Sequence, residues 1–265
     1  MQRLVHNLLL FLIIATVSQG AFARNHVLCV GLDTYPSKVG RYRVKSLHVS
    51  ANDARVVNNV FAANGFSTSI LTDSAATHDA VLRTMKYRFC TAKSDDMVVF
   101  YFSGHGTEDG LLCYDNVLDN EDIVDVLRNC KAKTKMVIVD ACYSGIMRTD
   151  SVWHKAFGKE DVILFLSSRN QEESFETGYS NSLFTMYLER GLRGGADINK
   201  DSNITPKELY NFVHNGVSND GFFTERQHPV MWGRFDGDKP IITWQKSKNK
   251  KSNKTNQVIE DATNN

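Results

Sequence analysis

Met97-Val98-Val99-Phe100-Tyr101-Phe102 runs directly into Ser103-Gly104-His105-Gly106, and Met136-Val137-Ile138-Val139 runs into Asp140-Ala141-Cys142-Tyr143-Ser144-Gly145. Two continuous apolar runs of strand length, without polar alternation, predict strands covered on both faces, as in a parallel sheet packed between helices. Each run ends in a polar, glycine-containing segment. In open parallel sheets functional groups collect beyond the carboxyl ends of the strands, and adjacent strands lie about 4.8 Å apart. If the two runs are neighbours, His105 and Cys142 face each other across the sheet edge. Gly104, Gly106 and Gly145 allow the sharp turns and close backbone approach that such an edge needs.

Outward from these two runs the pattern repeats. His26 to Leu32 and Val162 to Leu166 read as further buried strands, and Phe66 to Leu71 as another. Ser50 opens a helix with Ala54, Val57, Val60 and Phe61 at helical spacing, closed by Gly65. Thr77 caps a helix to about Cys90, Asn120 caps one carrying Ile123, Val126 and Leu127, and Asn181 or Ser182 caps one to about Leu192. Gly110 to Tyr114 reads as a short strand or hairpin arm, and Phe222, Phe223, Trp232 and Phe235 as core. Strands alternating with helices predict an α/β fold whose mostly parallel sheet has helices on both faces.

The 265 residues suffice for one sizeable domain, and 42% apolar with 23% charged residues is ordinary globular composition. A formal charge of +1 gives no electrostatic reason to expect a nucleic acid or an anionic membrane as partner. Arg3, the apolar run Leu8 to Val17 and Ala21-Phe22-Ala23 read as a signal peptide over residues 1–23. The expectation is a secreted or periplasmic protein, with no stable membrane association after cleavage, whose domain spans residues 24–244. From Gln245 the chain is lysine-rich and polar and lacks the apolar content to fold, so residues 245–265 read as a disordered tail. Cys29, Cys90, Cys113, Cys130 and Cys142 form an odd set, which leaves at least one free thiol in an oxidising compartment. No C-x-x-C pair supports zinc or a thioredoxin-like motif, and His26, His48, His78, His154, His214 and His228 lack metal-ligand spacing.

A nucleophilic thiol needs a base beside it and N–H donors for the oxyanion of its tetrahedral intermediate. His105 supplies the base, and the backbone N–H groups of Gly106 and Cys142 are the natural donors. The segments Tyr101 to Gly106 and Asp140 to Gly145 resemble the catalytic His and Cys motifs of metacaspases and bacterial caspase-like proteins, with matching order and spacing, over about His26 to Trp244. The animal-caspase form Gln-Ala-Cys-x-Gly is not present; Asp140 stands where its glutamine would be, which favours the metacaspase branch. The resemblance implies a caspase-haemoglobinase-like three-layer sandwich, peptide or protein substrates, and hydrolysis through a thioester on a Cys142–His105 dyad. It also implies an acidic primary pocket for Arg or Lys, lined by Asp53, Ser103 and Asp140. Asp53 has a second reading as part of a capping-box-like helix start, Ser50-x-x-Asp53; Asp140 has one as an orienting group for the cysteine loop. Two other functions share the fold: a transamidase or ligase on the same dyad, and a non-catalytic binding protein. The loop from Ile146 to Asp161 carries Arg148, Lys155 and Lys159, where a protease preferring basic residues can cut itself.

No cofactor is required for that chemistry, but Asp197 to Glu208 reads as an EF-hand-type loop for Ca2+, with Asp197, Asn199, Asp201, Asn203 and Glu208 as oxygen ligands and Thr205 at the ninth position. Ser202 departs from the glycine of the sixth position, and no second loop is present to pair with. The alternative reading is a helix corner in which Thr205, Pro206 and Glu208 start a helix. Many metacaspases need Ca2+, through a different acidic site.

Overall fold

A computed structural model describes residues 25–142, 144–156, 161–169, 180–221 and 227–243. The expected signal peptide, Tyr143, Lys159, Phe222, Phe223 and the polar tail lie outside the described residues.

Six strands form the main sheet: β1 His26–Gly31, β2 Ser67–Thr72, β3 Met97–Ser103, β4 Thr134–Asp140, β5 Asp161–Leu166 and β6 Val230–Arg234. Their order is β6-β5-β4-β3-β1-β2. Every pairing is parallel except β5 with β6. β1, β3 and β4 are buried along their length because helices cover both faces, which is why they read as unbroken apolar runs.

Alternate residues of the strands feed two cores. Leu28, Val30, Phe100, Phe102, Val137 and Val139 pack on one side with α2 His78–Phe89, α3 Asn120–Arg128 and Trp153 of α4 Ser151–Ala156. Cys29, Val99, Tyr101, Ile138 and Phe165 pack on the other with α1 Ser50–Ala63, α5 Leu183–Arg190 and α6 Pro206–Ser218. Each fully buried Val, Leu, Ile or Phe contributes about 1.5–3 kcal/mol of transfer free energy, so the central strands anchor whatever hangs from their ends. The result is the three-layer α/β sandwich.

Several boundaries differ from the sequence reading, each for a local reason. The cap of α3 is Asp119, whose carboxylate accepts from the Asp122 N–H at 2.8 Å; Asn120 instead donates to Asp150 at 2.9 Å. Ser50 does not cap α1. The first turn of that helix is satisfied from outside, by Asp33 accepting from the Ala51 N–H at 3.2 Å, which frees Asp53 for another task. Ser182, not Asn181, caps α5, accepting from the Thr185 N–H at 3.2 Å. β6 carries Trp232 alone of the aromatics expected in the core: it is a half-buried antiparallel edge containing Gly233, with little strand patterning in its sequence.

Candidate active site

The registers of β3 and β4 decide the geometry. Ser103 stands directly opposite Asp140, and the Gly104 N–H donates to the Asp140 carbonyl at 3.2 Å. The polar segments after the two strands therefore leave the sheet side by side. Gly106 then lies so close to the next segment that a Cβ at that position would collide with the Cys142 carbonyl oxygen. Only glycine permits that approach, and a small cavity opens where Gly106, Leu111, Asn120, Met147 and Cys142 meet. A larger cleft of about 400 Å³, lined by Asn25, Asp96, Met97 and Thr134, lies at the opposite end of the sheet and contains neither His105 nor Cys142.

His105 is held from two sides. Its backbone N–H donates to the Tyr35 hydroxyl at 3.2 Å, and that hydroxyl donates to the Leu112 carbonyl at 3.3 Å. The two rings stack obliquely, with centroids 5.1 Å apart. Burial pushes the Tyr35 hydroxyl well above its ordinary pKa, so it stays protonated and keeps both bonds. The imidazole Nε2 lies 2.7 Å from the Lys45 carbonyl oxygen. A carbonyl only accepts, so Nε2 carries the hydrogen and the neutral ring has its free lone pair on Nδ1, the tautomer a proton acceptor needs.

Cys142 is half-buried at the start of a tight turn. The other thiols differ: Cys29, Cys113 and Cys130 are buried and Cys90 is exposed at the end of α2, and none of the five is in a disulfide. Desolvation pushes the Cys113 thiol up to about 12 and Cys29 higher still, leaving both inert as thiolates. The turn at Cys142 is clamped by buried serines. Ser167 Oγ accepts from the Ala141 N–H at 3.2 Å, and Ser144 Oγ lies 3.4 Å from Ser167 Oγ and 3.2 Å from Ser168 Oγ.

Behind the turn sit Asp53 and Asp140, 0% and 3% exposed. Asp53 accepts from Ser103 Oγ at 3.0 Å, Asn181 Nδ2 at 2.9 Å and the Ser182 N–H at 3.1 Å. Asp140 accepts from Ser182 Oγ and, at 2.7 Å, from Thr185 Oγ1. Burial, and then the neighbouring Asp140 charge, pushes the Asp53 carboxyl up to about 8. Two buried carboxyls close enough for the charge on one to raise the pKa of the other are a costly arrangement in a protein interior, and it is one that an incoming cation relieves. The capping-box reading of Asp53 is thereby corrected, since its carboxylate faces the strand ends instead of the helix start.

A family model described as a caspase domain matches residues 24–239. The chain belongs to the caspase-domain family. A search of curated proteins finds no match. Among solved structures, the crystal structure of protein GSU0716 from Geobacter sulfurreducens is similar at a TM-score of 0.61 and 17% identity, covering 79% of this chain and 92% of that one; at that identity the likeness speaks for the fold. The family is one of cysteine peptidases, which act on protein substrates. No helix of the described residues is long and apolar enough to cross a membrane.

The loop from Asp197 to Glu208 of this caspase domain contains the helix corner of the second sequence reading. Thr205 caps α6 in a full capping box: Glu208 Oε2 accepts from the Thr205 N–H at 3.1 Å while Thr205 Oγ1 accepts from the Glu208 N–H at 3.2 Å. Asp201 Oδ1 accepts from the Asn203 N–H at 2.7 Å, Asn199 Oδ1 from the Asp201 N–H at 2.9 Å, and Asp197 Oδ2 from the Ser202 N–H at 3.0 Å. Ser202 adopts φ 66°, the left-handed turn that glycine makes at this position of such loops. Asn203–Ile204 pairs antiparallel with Ile242–Thr243 of the same chain. Asp197 Oδ1 is buried without a hydrogen-bond donor.

Three contributors escape a linear reading. Tyr35 and the Lys45 carbonyl come from an irregular segment with no periodicity, and Asn181 was legible only as a rival helix cap. A tyrosine amid loop polars is the one available signal, since a buried phenol needs partners for its hydroxyl.

Proposed function

We propose that this caspase domain is a cysteine endopeptidase that cuts peptide bonds after Arg or Lys, with Cys142 as nucleophile and His105 as base. The observation that carries the reading is the packing of Gly106 against Cys142 at the ends of neighbouring strands, with His105 oriented by the Lys45 carbonyl. In the proposed reaction Nδ1 of His105 takes the Cys142 thiol proton and the thiolate adds to the scissile carbonyl carbon. The oxyanion accepts from the N–H groups of Gly106 and Cys142. The imidazolium returns its proton to the leaving amine as the C–N bond breaks, leaving a thioester. Water, deprotonated by the same ring, hydrolyses the thioester and restores the thiol.

The buried acid pair supports the specificity. A guanidinium or ammonium reaching Asp53 and Asp140 brings a positive charge to two buried carboxyls, and the planar guanidinium can meet both carboxylates through separate N–H edges. A fluorogenic peptide panel varying only P1 tests this. Turnover with Arg or Lys and none after Cys142→Ala or His105→Ala supports the proposal; turnover with Asp at P1 and none with Arg or Lys refutes it.

Two further expectations belong to the same reading. Ca2+ would be held by Asp197, Asn199, Asp201, Asn203 and Glu208, all hard oxygen donors, and the donorless Asp197 Oδ1 favours a cation there. Absence of heat on titration with millimolar CaCl2 reduces the loop to a helix corner. Export through residues 1–23 places the enzyme outside the cytoplasm, and mature protein beginning at Arg24 is the expected mass-spectrometric result.

A further inference from the structure

The donors that surround the acid pair are not equivalent. Ser103, Ser182 and Thr185 are buried at 2%, 5% and 0% exposure. Asn181 is only half-buried, and its neighbour Ser180 is exposed. Asn181 Nδ2 donates to Asp53 Oδ1 at 2.9 Å across 128 residues of sequence. A second amide reinforces the same docking from the other side, because Asn52 Nδ2 donates to the Ser180 carbonyl at 2.8 Å. Residues 180–182 are thus strapped over the first turn of α1 by the adjacent pair Asn52 and Asp53.

A primary amide N–H aimed at a carboxylate oxygen has the geometry of one N–H edge of a guanidinium, but it brings no charge. Among the described side chains that donate to the pair, Asn181 is the most exposed. Displacing Ser103, Ser182 or Thr185 would open the core, whereas displacing the Asn181 side chain would not.

We infer that Asn181 is the specificity-determining gate of this pocket: its carboxamide holds the place on Asp53 that a P1 guanidinium takes, and substrate enters by exchanging one donor for the other. The inference rests on the acid-pair reading of the preceding section and names the residue that sets the strength of that pocket. Exchange of a neutral amide for a cation lowers the observed affinity by the strength of the hydrogen bond given up. Removing the amide therefore tightens binding of basic side chains and leaves neutral ones unaffected.

The test uses the full chain and the variants Asn181→Ala, Asn52→Ala and Asp53→Asn. Each is titrated with ethylguanidinium chloride in a Cys142→Ala background, and each is assayed in the active background with paired peptides carrying arginine or its uncharged isostere citrulline at P1. Asn181→Ala should bind ethylguanidinium roughly threefold to tenfold more tightly than the parent, the span expected for one net hydrogen bond. KM for the arginine peptide should fall by a similar factor, with a smaller effect on kcat and no gain on the citrulline peptide. Asn52→Ala, which loosens the strap without touching either carboxylate, should move both readings the same way, and it stands in if Asn181→Ala fails to melt cooperatively. Unchanged or weaker ethylguanidinium binding in these variants, with Asp53→Asn still abolishing it, overturns the gate and leaves the acidic pocket standing. Ethylguanidinium binding and arginine turnover that survive Asp53→Asn overturn both.

Discussion

Replacing Asp53 by Asn should make the protein more stable and a poorer enzyme, by amounts that depend on pH. The amide keeps an acceptor for Asn181 Nδ2 and the Ser182 N–H, and its own NH2 can donate to Ser103 Oγ once that hydroxyl turns. What disappears is a buried carboxyl beside another carboxyl. Burial, and then Asp140, pushes the Asp53 carboxyl up to about 8 from 3.8. A carboxyl raised in this way is protonated in the folded protein and ionised in the unfolded chain between those two values, so the native state binds the extra proton and stability falls as pH rises through the window. Each pH unit there costs about 1.4 kcal/mol, which makes the wild type about 2–3 kcal/mol less stable at pH 8 than at pH 6 through this group alone. Asn at the same place has no such dependence. In a domain of this size that amounts to roughly 4–12 °C in Tm, so the melting advantage of Asp53→Asn should be small near pH 4.5, grow to pH 8 and then level off. Differential scanning fluorimetry across that range, paired with P1-arginine kinetics, reads both halves. Turnover of the arginine peptide should drop by roughly 100-fold or more, the usual scale for removing one partner of a buried charge contact. In the wild type KM for that peptide should rise as pH falls below about 8, because the pocket must lose its proton to take a cation. A melting difference that is flat with pH, or arginine turnover untouched by the substitution, refutes the reasoning.

Tyr35→Phe removes the hydroxyl that accepts from the His105 N–H and donates to the Leu112 carbonyl, and should destabilise by about 1–3 kcal/mol in a urea melt while lowering kcat. His78 bridges Asp79 at 3.2 Å and Asp122 at 2.9 Å; burial lowers its pKa, but the two carboxylates more than offset that and raise it overall. Its contribution is therefore complete below about 6.5 and lost as pH rises through the raised value, so His78→Gln should cost roughly 0.5–1 kcal/mol at pH 6 and less at pH 9 in matched urea melts. If the enzyme cuts its own chain between Ile146 and Asp161, Cys142→Ala should keep a constant intact mass on incubation while the wild type loses it; cutting after Lys155 requires the helix Ser151–Ala156 to unwind, which should make it slow.

The parts of the site that could be read from the chain are those whose signal is local. β3 and β4 announce themselves as uninterrupted apolar runs because both faces are covered, and the glycines around His105 and after Ser144 mark where the strands end. Asp53 was singled out through the resemblance to the metacaspase pocket, while its spacing from Ser50 also suited a helix cap. Only the location of Asp33, whose carboxylate satisfies the Ala51 N–H from another segment, shows that α1 needs no cap from its own first turn.

The alternation of continuous apolar runs with helical segments, the two glycine-flanked motifs and the oxygen-rich loop at residues 197–208 are properties of neighbours in sequence, and local sterics and hydrophobic patterning settle them before any long-range contact forms. Which carbonyl sets the tautomer of His105, which phenol holds its backbone, and which amide covers Asp53 were decided only by the packed structure. Those contacts join residues 60, 70 and 128 positions apart. They depend on the strand order and on where irregular segments come to rest, and irregular segments have no period from which a partner can be read.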